Sequence, residues 1–462
     1  MAQQLSKTFL STGGAEFDLS DDETDSLFSQ VLAKVCAEIG QVGSVLLIPP
    51  DITRFHSRGG FLTGIACREF THVGAAVTVL PALGTHVPLN DAERERMFPG
   101  VPQPLFCHHD WRNDVVELGR IEAAWVEKTT GGAANYDWPV QVNKLLPDGG
   151  FDLIVSLGQV VPHEVVGMAN HAKNLFVGTG GKEAIDKSHF AGAAYGMENM
   201  MGRTDTPVRA LFDEGLRRFG GMLPPILYAQ TVLSARSETE AAVPHKPRGS
   251  LALRGLYCGF GRECFTQAAA LARQVNVDLL DEPIHKAVVY LEPEEFRSTW
   301  LGNKAVYRTR MAMADGGELL IIAPALERFG EDDGIDALIR KHGYRPAKII
   351  KEKTAHDPEL ANSLSAAAHL IHGSSEDRFT VRYCPGPGLS RREIESVGFE
   401  WGDINEAMAR YDINTLATGW NTGPDGERFF FVPNPALGLW APRERFHEDM
   451  FTQRHGGTKK DE

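Results

Sequence analysis

Three short apolar runs, at residues 42–48, 75–80 and 151–157, each stop abruptly in a loop that carries charged or titratable side chains. Runs this short and this continuously apolar fit strands of a parallel sheet covered on both faces. They alternate with segments of helical period: Leu27, Val31, Val35 and Ile39 fall on one face of a helix over residues 27–39. That alternation commits the chain to an α/β architecture. At 462 residues it also exceeds the ~250–300 residues that one core supports. The expected fold is two α/β domains with largely parallel sheets and a ligand cleft between them.

A polar, proline-bearing stretch at residues 235–249 marks the expected boundary. It separates an N-terminal cofactor-binding and catalytic domain (1–243) from a C-terminal domain closing the cleft (251–440), followed by an extension (441–462) whose end frays. In the second domain the patterning predicts strands at 287–291, 318–323, 347–350 and 379–383. It also predicts helices at 266–273 and at about 304–314, the latter closed by Gly316 and Gly317.

The formal charge of −14 and the absence of clustered Lys and Arg exclude a general nucleic-acid binder. Six scattered cysteines, none in CxxC spacing, form neither a disulfide framework nor a zinc ribbon. No apolar stretch suits a signal peptide or a membrane span, so a cytoplasmic protein is expected.

In an open α/β sheet, ligands bind beyond the carboxyl ends of the strands. The first run leads into Asp51-Ile52-Thr53-Arg54, the second into Gly84-Thr85-His86 and the third into Pro162-His163-Glu164. One anion clamp and two proton carriers at one sheet edge make a candidate site. The densest segment follows: His163, His171, Lys173, the turn Gly178-Thr179-Gly180-Gly181, Lys182, Lys187 and His189. The turn fits no P-loop, and Gly167 stands where a zincin motif needs its second histidine.

These residues together resemble the nickel-dependent lactate racemase family of 2-hydroxyacid racemases and epimerases. Asp51-Ile52-Thr53-Arg54 matches its Asp-x-Thr-Arg motif, Gly84-Thr85-His86 its Thr/Gly-x-His loop, and His108-His109-Asp110 looks like its Asn-His-Asp element. The specific part is the string Pro162-His163, Lys173, Gly178 to Gly181, Glu183 and His189. The likeness is good over about residues 45–190 and weaker to about residue 325.

The resemblance implies a nickel pincer nucleotide attached covalently through Lys173, with His189 completing the nickel coordination, as an imidazole suits nickel. It implies that His86 and His163 exchange the substrate hydroxyl proton while hydride leaves C2 and returns to the opposite face. Asp51, Thr53, Gly178, Gly180 and Gly181 would help to hold the nucleotide, and Arg54 would clamp the substrate carboxylate. Its partners would be a small 2-hydroxy acid and the enzymes that synthesise the cofactor; oligomeric state and the roles of His108, His109 and Asp110 stay open.

Three departures bear on the substrate. Val87 replaces an arginine of the family, and Glu164 stands where the lactate enzyme has an aromatic residue. A Tyr-Gln-x-x-Lys-type motif becomes Trp300-Leu301-Gly302-Asn303-Lys304, keeping the lysine for substrate contact. Glu164 and Asn303 suit extra hydroxyls, which points to a sugar acid such as gluconate or mannonate. The competing readings are a divalent-metal hydrolase using His86, His109, Asp110, His163 and His189, and a non-catalytic binding protein for an anionic metabolite using Arg54 and Lys304.

Overall fold

In the computed structural model, which describes residues 6–236, 250–436 and 438–446, the helix Asp21–Ile39 shows why the elements form where they do. Ser20 and Glu23 close a reciprocal cap, the Glu23 amide donating to Ser20 Oγ (3.2 Å) and the Ser20 amide to Glu23 Oε2 (2.9 Å). Such a cap contributes about 1 kcal/mol. The helix then buries Phe28, Val31, Leu32 and Val35 against Val45, Leu47, Val155 and Leu157 of the sheet below.

The chain divides into two compact units, residues 1–188 with 204–276, and residues 189–203 with 277–462. In the first unit, six strands run in the order Lys7–Gly13, Leu251–Phe260, Ile226–Ala235, Leu153–Gln159, Ser44–Ile48 and Ala76–Val79. The last four are mutually parallel; the first two join antiparallel. From Ser44–Ile48 the chain moves outward to Ala76–Val79, then returns to the other side of Ser44–Ile48 with Leu153–Gln159. This reversal is a topological switch point, where neighbouring loops diverge and leave a crevice at the carboxyl edge.

The second unit holds a six-stranded sheet in the order Glu400–Trp401, Thr380–Pro385, Met313–Ala323, Ile284–Tyr290, Arg428–Val432 and Gly419–Thr422. All pairs are parallel except the last. Its core gathers Val289, Leu319, Ile321 and Tyr383 from the sheet with Ile339, Ile350 and Ile371 from helices. Both units are therefore α/β with largely parallel sheets. Among the described residues no helix is long and apolar enough to cross a membrane, and all six cysteines are free.

Several elements differ from the sequence expectation. The stretch at 235–249 connects two paired strands of one sheet, and the second compact unit takes residues 189–203 with 277–462; residues 237–249 and 447–462 themselves lie outside the described residues. Residues 347–350 open a helix, Ala347–His356. Its two isoleucines imitate a strand, but Ile350 and Thr354 form a buried i, i+4 pair. The helix starting at Lys304 ends at Thr309, because Met313 already pairs with Ile284 in the sheet; Gly316 (φ +75°) lies within that strand. The long strands Ile226–Ala235 and Leu251–Phe260 carried no alternation to betray them, being buried along nearly their whole length.

Candidate active site

Asn174 marks the crevice. Its side-chain amide donates to the Ile48 carbonyl (3.2 Å), Ser156 Oγ (3.0 Å) and the Leu157 carbonyl (3.3 Å). It thus clamps the helix Ala172–Phe176 across the carboxyl ends of the two strands flanking the switch point. Lys173, its neighbour, lies in the first turn of that helix. Nothing in the sequence distinguishes Asn174 from an ordinary surface asparagine.

Part of the Lys173 side chain reaches accessible surface, yet protein surrounds the amine densely. That burial, reinforced by Arg54, lowers its pKa from 10.5 to about 8, against the opposing pull of Glu164 and Asp51. About a tenth is therefore a free amine, and a nucleophile, at pH 7, against less than about a thousandth for an ordinary lysine. Among the described residues neither Lys173 Nζ nor the Arg54 guanidinium makes a hydrogen bond or an ion pair with a side chain. Two neighbouring cationic groups without such partners form an anion site.

Asp51 follows the strand Ser44–Ile48 and is almost fully buried, at 5 % exposure. His86 Nδ1–H donates to Asp51 Oδ2 (2.6 Å), and Thr53 Oγ1–H donates to Asp51 Oδ1 (2.6 Å). Burial pushes the Asp51 carboxyl up, but His86, Thr53 and Arg54 outweigh it and hold it below the ordinary carboxylate range. With Nδ1 occupied as a donor, the lone pair of His86 sits on Nε2. The His86 loop is fastened by Gly84, at φ +58°, whose amide donates to the Gly178 carbonyl (2.9 Å).

His163 arrives from the other strand of the switch point, in a small hairpin where it pairs with Gly167; the φ of +83° at Gly167 suits glycine. Its Nδ1 accepts the Val165 amide (3.1 Å) and lies 3.8 Å from Glu164 Oε2. The resting ring consequently carries its proton on Nε2 and presents a donor, complementary to His86.

Gly178, Gly180 and Gly181 form a tightly packed turn. The Gly178 and Gly180 amides already donate to the Lys173 and Val177 carbonyls (3.1 and 3.3 Å), so they are not held out to a nucleotide. The residues are glycine because of packing. A Cβ at Gly180 would meet the Phe176 carbonyl oxygen at 2.0 Å, one at Gly178 would meet Asn174 O at 2.4 Å, and one at Gly181 would meet Gln141 Oε1 at 2.4 Å. Gly180→Ala should therefore lower stability by about 1–3 kcal/mol, read as a several-degree drop in thermal midpoint; an unchanged midpoint would show that the turn can yield.

His109, left open by the sequence, is buried behind this turn. Its Nε2–H donates to the Gly180 carbonyl (2.9 Å) and its Nδ1 accepts from Asn143 Nδ2 (3.0 Å). Burial lowers its pKa, favouring the neutral ring. Asp110 accepts from the amides of Arg112 and Asn113 in its own turn. The metal-hydrolase reading thereby loses two of its ligands, and among the described residues no three His, Cys, Asp or Glu side chains are grouped to hold a metal.

The remaining candidates belong to the second unit. His189 is half-buried on the helix Lys182–Tyr195. Lys304 is 8 % exposed, 3.5 Å from Glu295 and over the Phe296 ring. Trp300 packs on His369 at 4.4 Å between ring centroids. Asn303 is fully buried, its carbonyl accepting from Tyr383 Oη (2.7 Å). Its amide nitrogen, Nδ2, is buried without a hydrogen-bond partner among the described residues.

Residues 29–201 match the family profile described as the lactate racemase N-terminal domain. No curated protein matches the chain significantly. Among solved structures, a Thermotoga maritima protein from a structural genomics programme aligns with a TM-score of 0.76 at 22 % identity, covering 94 % of this chain and 100 % of its own. The lactate racemase apoprotein from Thermoanaerobacterium thermosaccharolyticum aligns with a TM-score of 0.64 at 14 % identity, with the same coverage. The fold is thus shared along nearly the whole chain, and the stretch that matches the lactate racemase N-terminal domain contains Asp51, His86, His163 and Lys173.

Proposed function

We propose that the protein is a racemase or epimerase that inverts C2 of a 2-hydroxy acid with a nickel pincer nucleotide, and that its substrate is a sugar acid of the aldonate type. The observation that carries this reading is the Lys173 amine, held near a pKa of about 8 on the sheet edge that also presents His86 and His163.

That amine fits the cofactor, because covalent attachment needs an unprotonated nucleophile; Lys173 would anchor the group and His189 would complete the coordination of its nickel. When bound, such a cofactor supplies the acceptor and donor of the C2 hydride. The chain supplies the proton chemistry. His86 Nε2 accepts the substrate hydroxyl proton, with Asp51 stabilising the imidazolium that results. His163 Nε2–H faces the opposite stereochemical course. To act as base it takes the other tautomer, with the proton on Nδ1 directed toward Glu164 in place of the bond accepted from Val165. Arg54 pairs with the substrate carboxylate, bidentate by geometry.

Glu164 supports the sugar-acid version. A partly buried carboxylate, 19 % exposed in its side chain, accepts hydrogen bonds from hydroxyls, offers nothing to a methyl group and repels a second carboxylate such as that of a malate-like acid.

The test is intact-protein mass spectrometry with nickel analysis on protein expressed alongside the cofactor-synthesis enzymes, followed by NMR of aldonates incubated with it. A covalent adduct on Lys173 with about one nickel per chain and 2-epimerisation of an aldonate are expected. An unmodified Lys173 overturns the cofactor assignment; turnover of lactate but of no aldonate overturns the substrate assignment.

A further inference from the structure

Two consecutive non-glycine residues, Asn170 (φ +70°) and His171 (φ +57°), adopt left-handed backbone immediately before the helix that bears Lys173. Such conformations are costly for residues with a Cβ and persist only where the surroundings over-determine them. Here the surroundings are specific. Arg209, fully buried, donates to the carbonyls of Met168 (2.5 Å) and Asn170 (3.2 Å), and its guanidinium lies 4.3 Å over the Phe265 ring. The Asn170 side-chain carbonyl accepts the His171 amide (2.7 Å). The His171 ring packs on Tyr228, 4.1 Å between centroids, with Nε2 at 3.2 Å from the Gly261 carbonyl.

A buried arginine is expensive to desolvate, and this one donates to main-chain carbonyls; Asp213 acts on it through charge, opposed by Arg262. The proton chemistry proposed above does not use it. What its hydrogen bonds do is fix the two carbonyls that bracket Ala169, and so fix the turn from which the Ala172–Phe176 helix departs.

We infer that Arg209 is a positioning residue for the Lys173 amine: by pinning the carbonyls of Met168 and Asn170 it holds the left-handed Asn170 and His171 backbone that sets where the Lys173 side chain leaves the main chain. The inference rests on Lys173 being the reactive amine of the site, but it concerns the chain alone. Asn174 fixes the far side of the same helix turn on the strand ends, so Arg209 and Asn174 grip Lys173 from both flanks. The charged groups that act on the amine are Arg54, Glu164, Asp51 and Arg209 itself. Releasing the turn lets the amine move toward water, where it regains the titration of an ordinary lysine.

The experiment is competitive acetylation of the full apo chain with acetic anhydride across pH 6 to 11, with Lys173 followed by peptide mass spectrometry and Lys182 as reference. In the unsubstituted chain Lys173 should label with a midpoint near 8. Arg209→Met should raise that midpoint by one pH unit or more, which lowers the unprotonated fraction at pH 8 about fivefold. Asn170→Gly keeps the left-handed backbone accessible, removes the acceptor for His171, leaves the Arg209 charge in place and should move the midpoint the same way by less. Because Arg209→Met also removes a cation that acts on the amine, a shift in Arg209→Met with none in Asn170→Gly would assign the effect to charge and overturn the inference. A folded variant with reduced thermal stability and an unmoved Lys173 midpoint would make Arg209 merely structural and overturn the inference. A midpoint near 10.5 in the unsubstituted chain overturns it too. A shift in these variants in a chain that takes up no cofactor leaves the inference standing while the proposed function fails.

Discussion

Asp51→Asn should lower kcat/KM by two to four orders of magnitude with little change in KM or in fold. The size follows from the hydrogen bonds on its two oxygens. Thr53 Oγ1–H donates to Oδ1, and His86 Nδ1–H donates to Oδ2. An asparagine there keeps its carbonyl toward the Thr53 hydroxyl and so turns its NH₂ toward His86. The ring must then accept at Nδ1, which moves its proton to Nε2 and removes the lone pair that receives the substrate proton. General-base catalysis is worth about 10²–10⁴, and the wrong tautomer forfeits it. Thr53→Val serves as the control and alone should cost about fivefold, near the ~1 kcal/mol of one hydrogen bond. Added to Asp51→Asn, it should restore part of the activity, because the amide is then free to flip. The ¹⁵N shifts of His86 in the apo protein report the tautomer without any turnover. A loss below tenfold, or one confined to KM, would remove Asp51 and His86 from the proton chemistry.

What the sequence disclosed and what it concealed divide along physical lines. The strands at 44–48, 76–79 and 153–159 were legible because strands buried on both faces must be apolar throughout, and their loops showed Asp51, Arg54, His86 and His163 as polar residues where chain ends meet a crevice. The strands at 226–235 and 251–260 were hidden by length and by buried polar residues such as Gln230 and Thr231. The helix at 347–356 was hidden because two adjacent isoleucines look alike in either period. In the site, the glycines of 178–181 were visible as a turn, but their reason is close packing, which only the neighbours Phe176, Asn174 and Gln141 disclose. That the Asn303 carbonyl accepts from Tyr383 is likewise invisible from the sequence around it. Asn174, Arg209 and Asn143 work by contacts across tens of residues of sequence, and no local pattern announces such contacts.

Lys173→Met should abolish cofactor attachment and turnover completely, yet leave the protein more stable than before at pH 7. Holding an ammonium group where burial and Arg54 oppose its charge costs folding free energy. A pKa lowered from 10.5 to about 8 corresponds to at most ~3 kcal/mol, and the part of the side chain that reaches the surface reduces this to about 1–3 kcal/mol. The sign follows from proton counting. Between pH 8 and 10.5 the unfolded chain keeps a proton on Lys173 that the folded protein has released, so stability rises with pH across that window. Below pH 8 both states are protonated and the folded protein carries the whole penalty. Methionine has nearly the same volume and no charge, so the variant should gain stability below pH 8, lose the advantage progressively between 8 and 10.5, and match the parent above it. Urea unfolding at pH 7 and at pH 10.5 measures the difference directly. Equal midpoints for the two proteins at both pH values would mean that the amine sits in an ordinary aqueous environment, and an adduct on Lys173 would then need an activating group other than the burial and charge around it. A gain at pH 7 that disappears by pH 10.5 would identify Lys173 as a residue retained against the stability of its own domain, which is the signature of chemistry and not of packing.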